Sequence, residues 1–115
     1  MSVSLMTAQE LLGLFELDGA GKVLYHRVDA AGEPSGTSPD IVGHNFYNEV
    51  AGFENIEEFR RCVTEFIRSA TAADSFDFEC RYRDSAHPIK VLVARICESV
   101  NRNNTKSVLM YLKRK

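Results

Sequence analysis

The clearest periodicity in the chain is an alternation of period two over residues 76–83. Phe76, Phe78, Cys80 and Tyr82 take one side, and Asp77, Glu79, Arg81 and Arg83 take the other. Such a stretch is a strand with one buried and one charged face. Residues 89–98 and 107–112 also read as strands, but apolar residues occupy both sides. Val91 and Val93 oppose Leu92, Ala94 and Ile96; Val108, Met110 and Leu112 oppose Leu109 and Tyr111. Strands apolar on both sides lie centrally and are covered on both faces. The outer face of the sheet must therefore meet the N-terminal helix, a partner subunit or a neighbouring domain. Leu92, Ile96, Leu109 and Tyr111 are the candidate contacts, with the face of each left open.

Period 3.6 dominates after Asn55. Ile56, Phe59, Val63, Phe66 and Ile67 recur on one side of a helix, with Glu57, Arg60, Arg61, Thr64, Glu65 and Arg68 opposite. Asn55 and Glu58 have the spacing of a capping box, and Glu57 and Glu58 suit the positive end of the helix dipole. The pattern stops in Ala70–Asp74. Upstream, Leu14–Leu17 and Lys22–Val28 read as two strands joined by the turn Asp18-Gly19-Ala20-Gly21. Residues 29–38 are loop. Ser38-Pro39-Asp40 reads as a helix start with Pro39 at the first helical position. Gly43 closes that turn, and Asn45 to Ala51 is a second short helix. Residues 1–10 are an N-terminal cap or flexible segment in which Thr7 and Glu10 form a cap pair. Two strands, short helices, a long helix and three strands predict an α+β domain: a five-stranded antiparallel sheet with helices on one face.

The 115 residues suit one domain, 1–115. A formal net charge of −2 gives no reason to expect nucleic acid or an anionic membrane as partner. No apolar run approaches the ~20 residues that cross a bilayer, and the first residues do not read as a signal peptide. Cys62, Cys80 and Cys97 are widely spaced, with no C-x-x-C pair, so no metal site or disulfide scaffold is expected. They read as small buried hydrophobes of a cytoplasmic protein, or else as redox thiols. No Gly-x-Ser-x-Gly elbow, phosphate loop or carboxylate pair in an apolar pocket is present, so no enzyme is expected.

The order of elements is that of PAS domains, and specific residues resemble the photoactive yellow protein family. These are Leu17-Asp18-Gly19-x-Gly21, Gly43-x-Asn45-Phe46-Tyr47-x-x-Val50-Ala51, Glu58-Phe59, Phe76, Tyr82 and Lys90-Val91-x-Val93. The resemblance runs from about residue 11 to the C-terminus and is ungapped from Leu17 to Phe76. It implies a bacterial sensory or signalling domain. The family holds p-coumarate as a thioester on a cysteine, and the matching position here is Phe53. The family's hydrogen-bonding tyrosine matches His26, its buried glutamate Ala30, its pocket threonine Pro34 and its gating arginine Gly36. A p-coumarate thioester is therefore not expected. Neither is flavin, for want of an Asn-Cys-Arg-Phe-Leu-Gln-like run, nor haem ligated from a long helix that holds no histidine.

By the same resemblance His26 faces the ligand cavity, where it either recognises an anion or senses pH, or is an ordinary strand histidine. Phe53 either fills that cavity or forms one wall of a smaller pocket. His26, Phe46, Phe53, Phe59, Phe66 and Phe76 are the pocket candidates. His44 and His87 are read as a solvated residue and a turn residue. The functional expectation is a signalling module that binds a small molecule non-covalently; the alternative is a ligand-free module acting through a homodimer or a signalling partner.

Overall fold

The computed structural model describes residues 11–28, 41–69, 71–97 and 105–115. The readings at Thr7 and Glu10, at Ser38–Asp40 and at Ala30, Pro34 and Gly36 lie outside them. Five strands form one antiparallel sheet: β1 (Gly13–Leu17), β2 (Val23–Val28), β3 (Ala73–Tyr82), β4 (Ser85–Cys97) and β5 (Thr105–Arg114). Their order is β2-β1-β5-β4-β3, so the first and last strands lie side by side in the middle of the sheet. The helix α1 (Ile56–Arg68) packs on one face. This is the α+β architecture that the periodicities predict; β1, β3, β4 and β5 begin before their predicted starts, while β2 begins one residue later and β3 and β4 end one residue earlier.

Alternation sets the faces. Phe15 and Leu17 on β1, Val23 on β2, Ile89, Val91 and Val93 on β4, and Val108, Met110 and Leu112 on β5 are buried beneath α1. Helix residues Phe59, Val63 and Phe66 meet them at the i, i+4, i+7 spacing that one helical face requires. Each fully buried aliphatic or aromatic side chain of this kind contributes roughly 1.5–3 kcal/mol.

The segment Phe46–Val50 is a single π-helical turn. Val50 N–H donates to the Asn45 carbonyl and Ala51 N–H to the Phe46 carbonyl, both five residues back. Asn45 Oδ1 caps this turn by accepting from the N–H groups of Tyr47 (3.0 Å) and Asn48 (3.1 Å), while Glu49 accepts from Asn45 N–H (2.8 Å). The predicted short helix is thus present in a wider winding. Gly21 lets the β1–β2 turn lie against it: its φ is +93°, and a Cβ there would stand 2.7 Å from the Tyr47 ring.

The capping box predicted at Asn55 and Glu58 does not form, because the Asn55 side chain makes no cap bond to α1. Its amide is drawn instead to the edge of β3, donating to the Glu79 carbonyl (2.8 Å) and accepting from Arg81 N–H (3.0 Å). At the other end α1 is closed from the sheet. Arg95, on the inner face of β4, donates to the carbonyls of Phe66 (2.9 Å), Ser69 (2.6 Å) and Thr71 (3.2 Å). A guanidinium there satisfies orphan carbonyls and opposes the negative end of the helix dipole.

Candidate functional site

Five of the six pocket candidates fall into one aromatic assembly in the space between sheet and helix. Its rings touch in series. His26 lies 5.6 Å from Phe15, Phe15 lies 5.1 Å from Phe46, and Phe46 lies 5.9 Å from Phe59. Phe59 then meets Phe53 at 5.6 Å, Phe76 at 6.1 Å and Phe78 at 5.1 Å. Phe53 continues to Tyr82 at 6.2 Å, and Tyr82 to His87 at 5.4 Å. Edge-on contacts such as Phe53–Phe59, at 82°, suit the ring quadrupoles and add to the stabilisation from burial. Phe46, Phe53 and Phe59 are buried, with Phe53 only 2% exposed; His26 and Phe76 are half-buried. Phe66 is buried too, but at the end of α1 beneath the Arg95 guanidinium, 5.5 Å from its ring.

Phe15, Phe78 and Tyr82 complete the assembly and are not among the six pocket candidates. The signal was present for two of them, since Phe78 and Tyr82 share the period-two stripe with Phe76. The Tyr82 hydroxyl is buried without a hydrogen-bond partner, and burial first, then Cys80, pushes its pKa up to about 12. Burial likewise pushes the Cys80 thiol up to about 12, so it is a protonated core residue at neutral pH. The Cys62 thiol is also raised, by desolvation and then by Glu65 and Glu58. Among the described residues no three His, Cys, Asp or Glu side chains are grouped to hold a metal, and no helix is long and apolar enough to cross a membrane. His44 pairs with Glu49 at 3.1 Å on the surface, and His87 lies 3.1 Å from the Ser85 hydroxyl.

A concavity lies between the β1–β2 turn and α1. Leu17, Val63, Ile67 and Val108 line it together with Asp18–Gly21, Tyr47, Arg60 and Thr64, and none of the six pocket candidates does. Arg60 lies over the Tyr47 ring at 5.4 Å, and burial raises the Tyr47 hydroxyl to about 12.

The strand register assigns the four interface candidates to one side. Leu92 pairs with Tyr111, Ala94 with Leu109, and Ile96 with Ser107. Directly paired residues share a face. Because Val91 and Val93 point inward, Leu92, Ile96, Leu109 and Tyr111 all point outward, joined by Leu14 across Tyr111 and by Tyr25 across Glu16. Leu92 is 39% and Tyr25 47% exposed. Ser107, on the same face, is buried and donates to Glu16 at 2.7 Å.

No protein-family model matches the chain. It is 27% identical over 94 residues to the photoactive yellow protein of Halochromatium salexigens, covering 78% of this chain and 75% of that protein. It is 30% identical over 84 residues to the photoactive yellow protein of Rhodothalassium salexigens, covering 72% of this chain and 66% of that one. Among solved structures it is similar to the photoactive yellow protein domain of the sensor histidine kinase Ppr from Rhodospirillum centenum. There the TM-score is 0.59 at 20% identity, over 90% of this chain and 86% of the other. The chain is a PAS domain of the photoactive yellow protein-like family. In this PAS domain the aromatic assembly occupies the region between sheet and helix, and the outward apolar residues form the opposite surface.

Proposed function

We propose that this PAS domain signals through protein contact at the outer face of its sheet and holds no thioester-linked chromophore. By the family resemblance, Phe53 takes the place of the chromophore cysteine, and the observation that supports the reading is that its ring is buried against Phe59, Phe78 and Tyr82. A phenyl group offers no thiol, and its contacts occupy the volume in which an attached ring would begin. The residues therefore do not fit a p-coumarate thioester. Cys80 offers no substitute, since burial keeps its thiol protonated. The function is binding and relay rather than catalysis, in the cytoplasm, with a homodimer or a signalling protein as partner. Leu92, Ile96, Leu109 and Tyr111 are the contact residues, and a change in core packing shifts the population of states that the face presents.

A second reading is favoured by His26, a half-buried imidazole at the β2 end of the aromatic assembly. A small molecule bound non-covalently beside it would bias the same packing, with Phe46, Phe53, Phe59, Phe66 and Phe76 as its surroundings. Two measurements separate the readings. Light scattering of the wild type and of Leu92→Asp should show a larger particle that the substitution dissociates, and native mass spectrometry should show no retained small molecule. A monomer that carries a retained ligand would replace the first reading with the second.

A further inference from the structure

β3 is an edge strand, and only one end of its free edge is covered. Arg81 directs its backbone groups away from β4: its N–H donates to Asn55 Oδ1 at 3.0 Å, and its carbonyl accepts from Glu54 N–H at 2.7 Å. The Glu79 carbonyl accepts from Asn55 Nδ2 at 2.8 Å. The Asn55 side chain thus stands where a peptide group of a sixth strand would stand. Outward-directed backbone groups belong to every second residue of an antiparallel strand, so Asp77, Ser75 and Ala73 continue the row. Ser75 N–H is taken by the carboxylate of Asp74 at 2.7 Å. Among the described residues, no hydrogen bond reaches the outward backbone groups of Asp77 or the Ser75 carbonyl. Ser75, Asp77 and Glu79 are exposed.

An open edge of this kind is a template for another strand unless proline, a bulge, charged side chains or a covering segment blunts it, and here the Asp77 and Glu79 carboxylates disfavour acidic strands and a second copy of the same strand. Ser75–Glu79 holds no proline or lysine, and its pairing with β4 runs without a bulge. The opposite edge of the sheet is likewise covered at one end, for at Val23 on β2 the N–H donates to the His44 carbonyl and the carbonyl accepts from Gly43 N–H.

We propose that the open edge of β3, centred on Asp77, takes up an extended segment of a partner protein as a sixth strand, and that this segment alternates basic and apolar residues. The alternation follows from the strand itself. On its outer side Asp77 and Glu79 present carboxylates; Asp77 pairs with Lys115 Nζ at 3.1 Å, so a basic side chain of the incoming strand meets Glu79 and replaces Lys115 at Asp77. On its inner side Phe76 and Phe78 are half-buried against the core, so apolar side chains beside them would extend it. A second copy of β3 is the wrong occupant, since antiparallel self-pairing would bring the Asp77 and Glu79 carboxylates of two chains together. Main-chain hydrogen bonds supply the affinity in strand addition, and the alternate side chains supply the choice of partner.

The test uses the whole chain, amide hydrogen exchange read by NMR, and two blocked octapeptides, one alternating Lys and Val, the other Glu and Val. The Lys-Val peptide should protect the Asp77 amide, with shifts confined to β3 and the Asn55 loop, and the Glu-Val peptide should not. The double substitution Asp77→Lys, Glu79→Lys lies on exposed positions and should preserve the fold, as checked by circular dichroism. It should weaken Lys-Val binding about tenfold or more and confer binding of Glu-Val. Asp77→Pro, which removes the outward N–H, should abolish Lys-Val binding. Equal protection by the two peptides, no protection at millimolar peptide, or no effect of charge reversal would each overturn the proposal.

Discussion

The Phe53 ring meets the Phe59 ring edge-on, at 5.6 Å and 82°, and so ties the loop before α1 to the helix itself. Phe53→Ala should therefore act as a core deletion. The expected loss is about 3–5 kcal/mol in urea unfolding, while Phe53→Leu, which keeps most of the volume, should cost less than about 1.5 kcal/mol. Equal small effects of the two would mean that Phe53 is not packed as described.

Arg95 joins β4 to the end of α1 through three carbonyls. Its removal leaves the Ser69 and Thr71 carbonyls short of a partner, while the Phe66 carbonyl keeps the Ser69 N–H and hydroxyl, so Arg95→Ala should destabilise by about 2 kcal/mol. Arg95→Lys should recover less than half of that, because an ammonium cannot spread donors over Phe66, Ser69 and Thr71 in the planar fork of a guanidinium. Thermal unfolding of the three proteins checks both statements.

Two glycines separate backbone strain from steric clash. Gly21 and Gly43 share a φ of +93°, but a Cβ on Gly43 meets nothing within 4 Å, whereas one on Gly21 stands 2.7 Å from the buried Tyr47 ring. Gly43→Ala should cost about 1 kcal/mol from the backbone alone. Gly21→Ala should cost at least about 1 kcal/mol more, measured as a difference in urea midpoint at unchanged slope.

Much of this was legible in the sequence. The stripe Phe76–Phe78–Cys80–Tyr82 and the helical spacing from Ile56 to Ile67 each admit one buried face, and each takes it. What was not legible depends on register or on competition for a hydrogen bond. Leu92, Ile96, Leu109 and Tyr111 lie in strands apolar on both sides, so only the pairing of Leu92 with Tyr111 and Ala94 with Leu109 assigns their face. At Asn55 the local spacing favoured a helix cap, but backbone groups of Glu79 and Arg81, 24 and 26 residues away, compete for the same amide and win. Arg95 gave no local signal at all, since its partners belong to another element. The aromatic candidates were found as core residues; that Phe66 stands apart from the other five is a consequence of helix length.

Burial raises Tyr47, Tyr82 and Cys80 to about 12, above their ordinary values of 10, 10 and 9. The folded state therefore keeps protons that the unfolded state releases above about pH 9–10. Their contribution to stability is complete below that range and is lost as pH rises toward 12. Urea midpoints should fall steadily over that window, and absorbance near 295 nm should show at least two of the four tyrosines ionising late.

The most direct test of the whole account is an intact mass and an absorption spectrum after the folded protein is incubated with an activated p-coumaric ester at neutral pH. With a buried phenyl ring at Phe53 and a protonated thiol at Cys80, no thioester should form in the core, any mass gained should map to exposed amines or to the partly exposed Cys62 and Cys97, and the solution should not absorb in the visible. A thioester adduct on the native protein, with a visible band that disappears on unfolding, would contradict it.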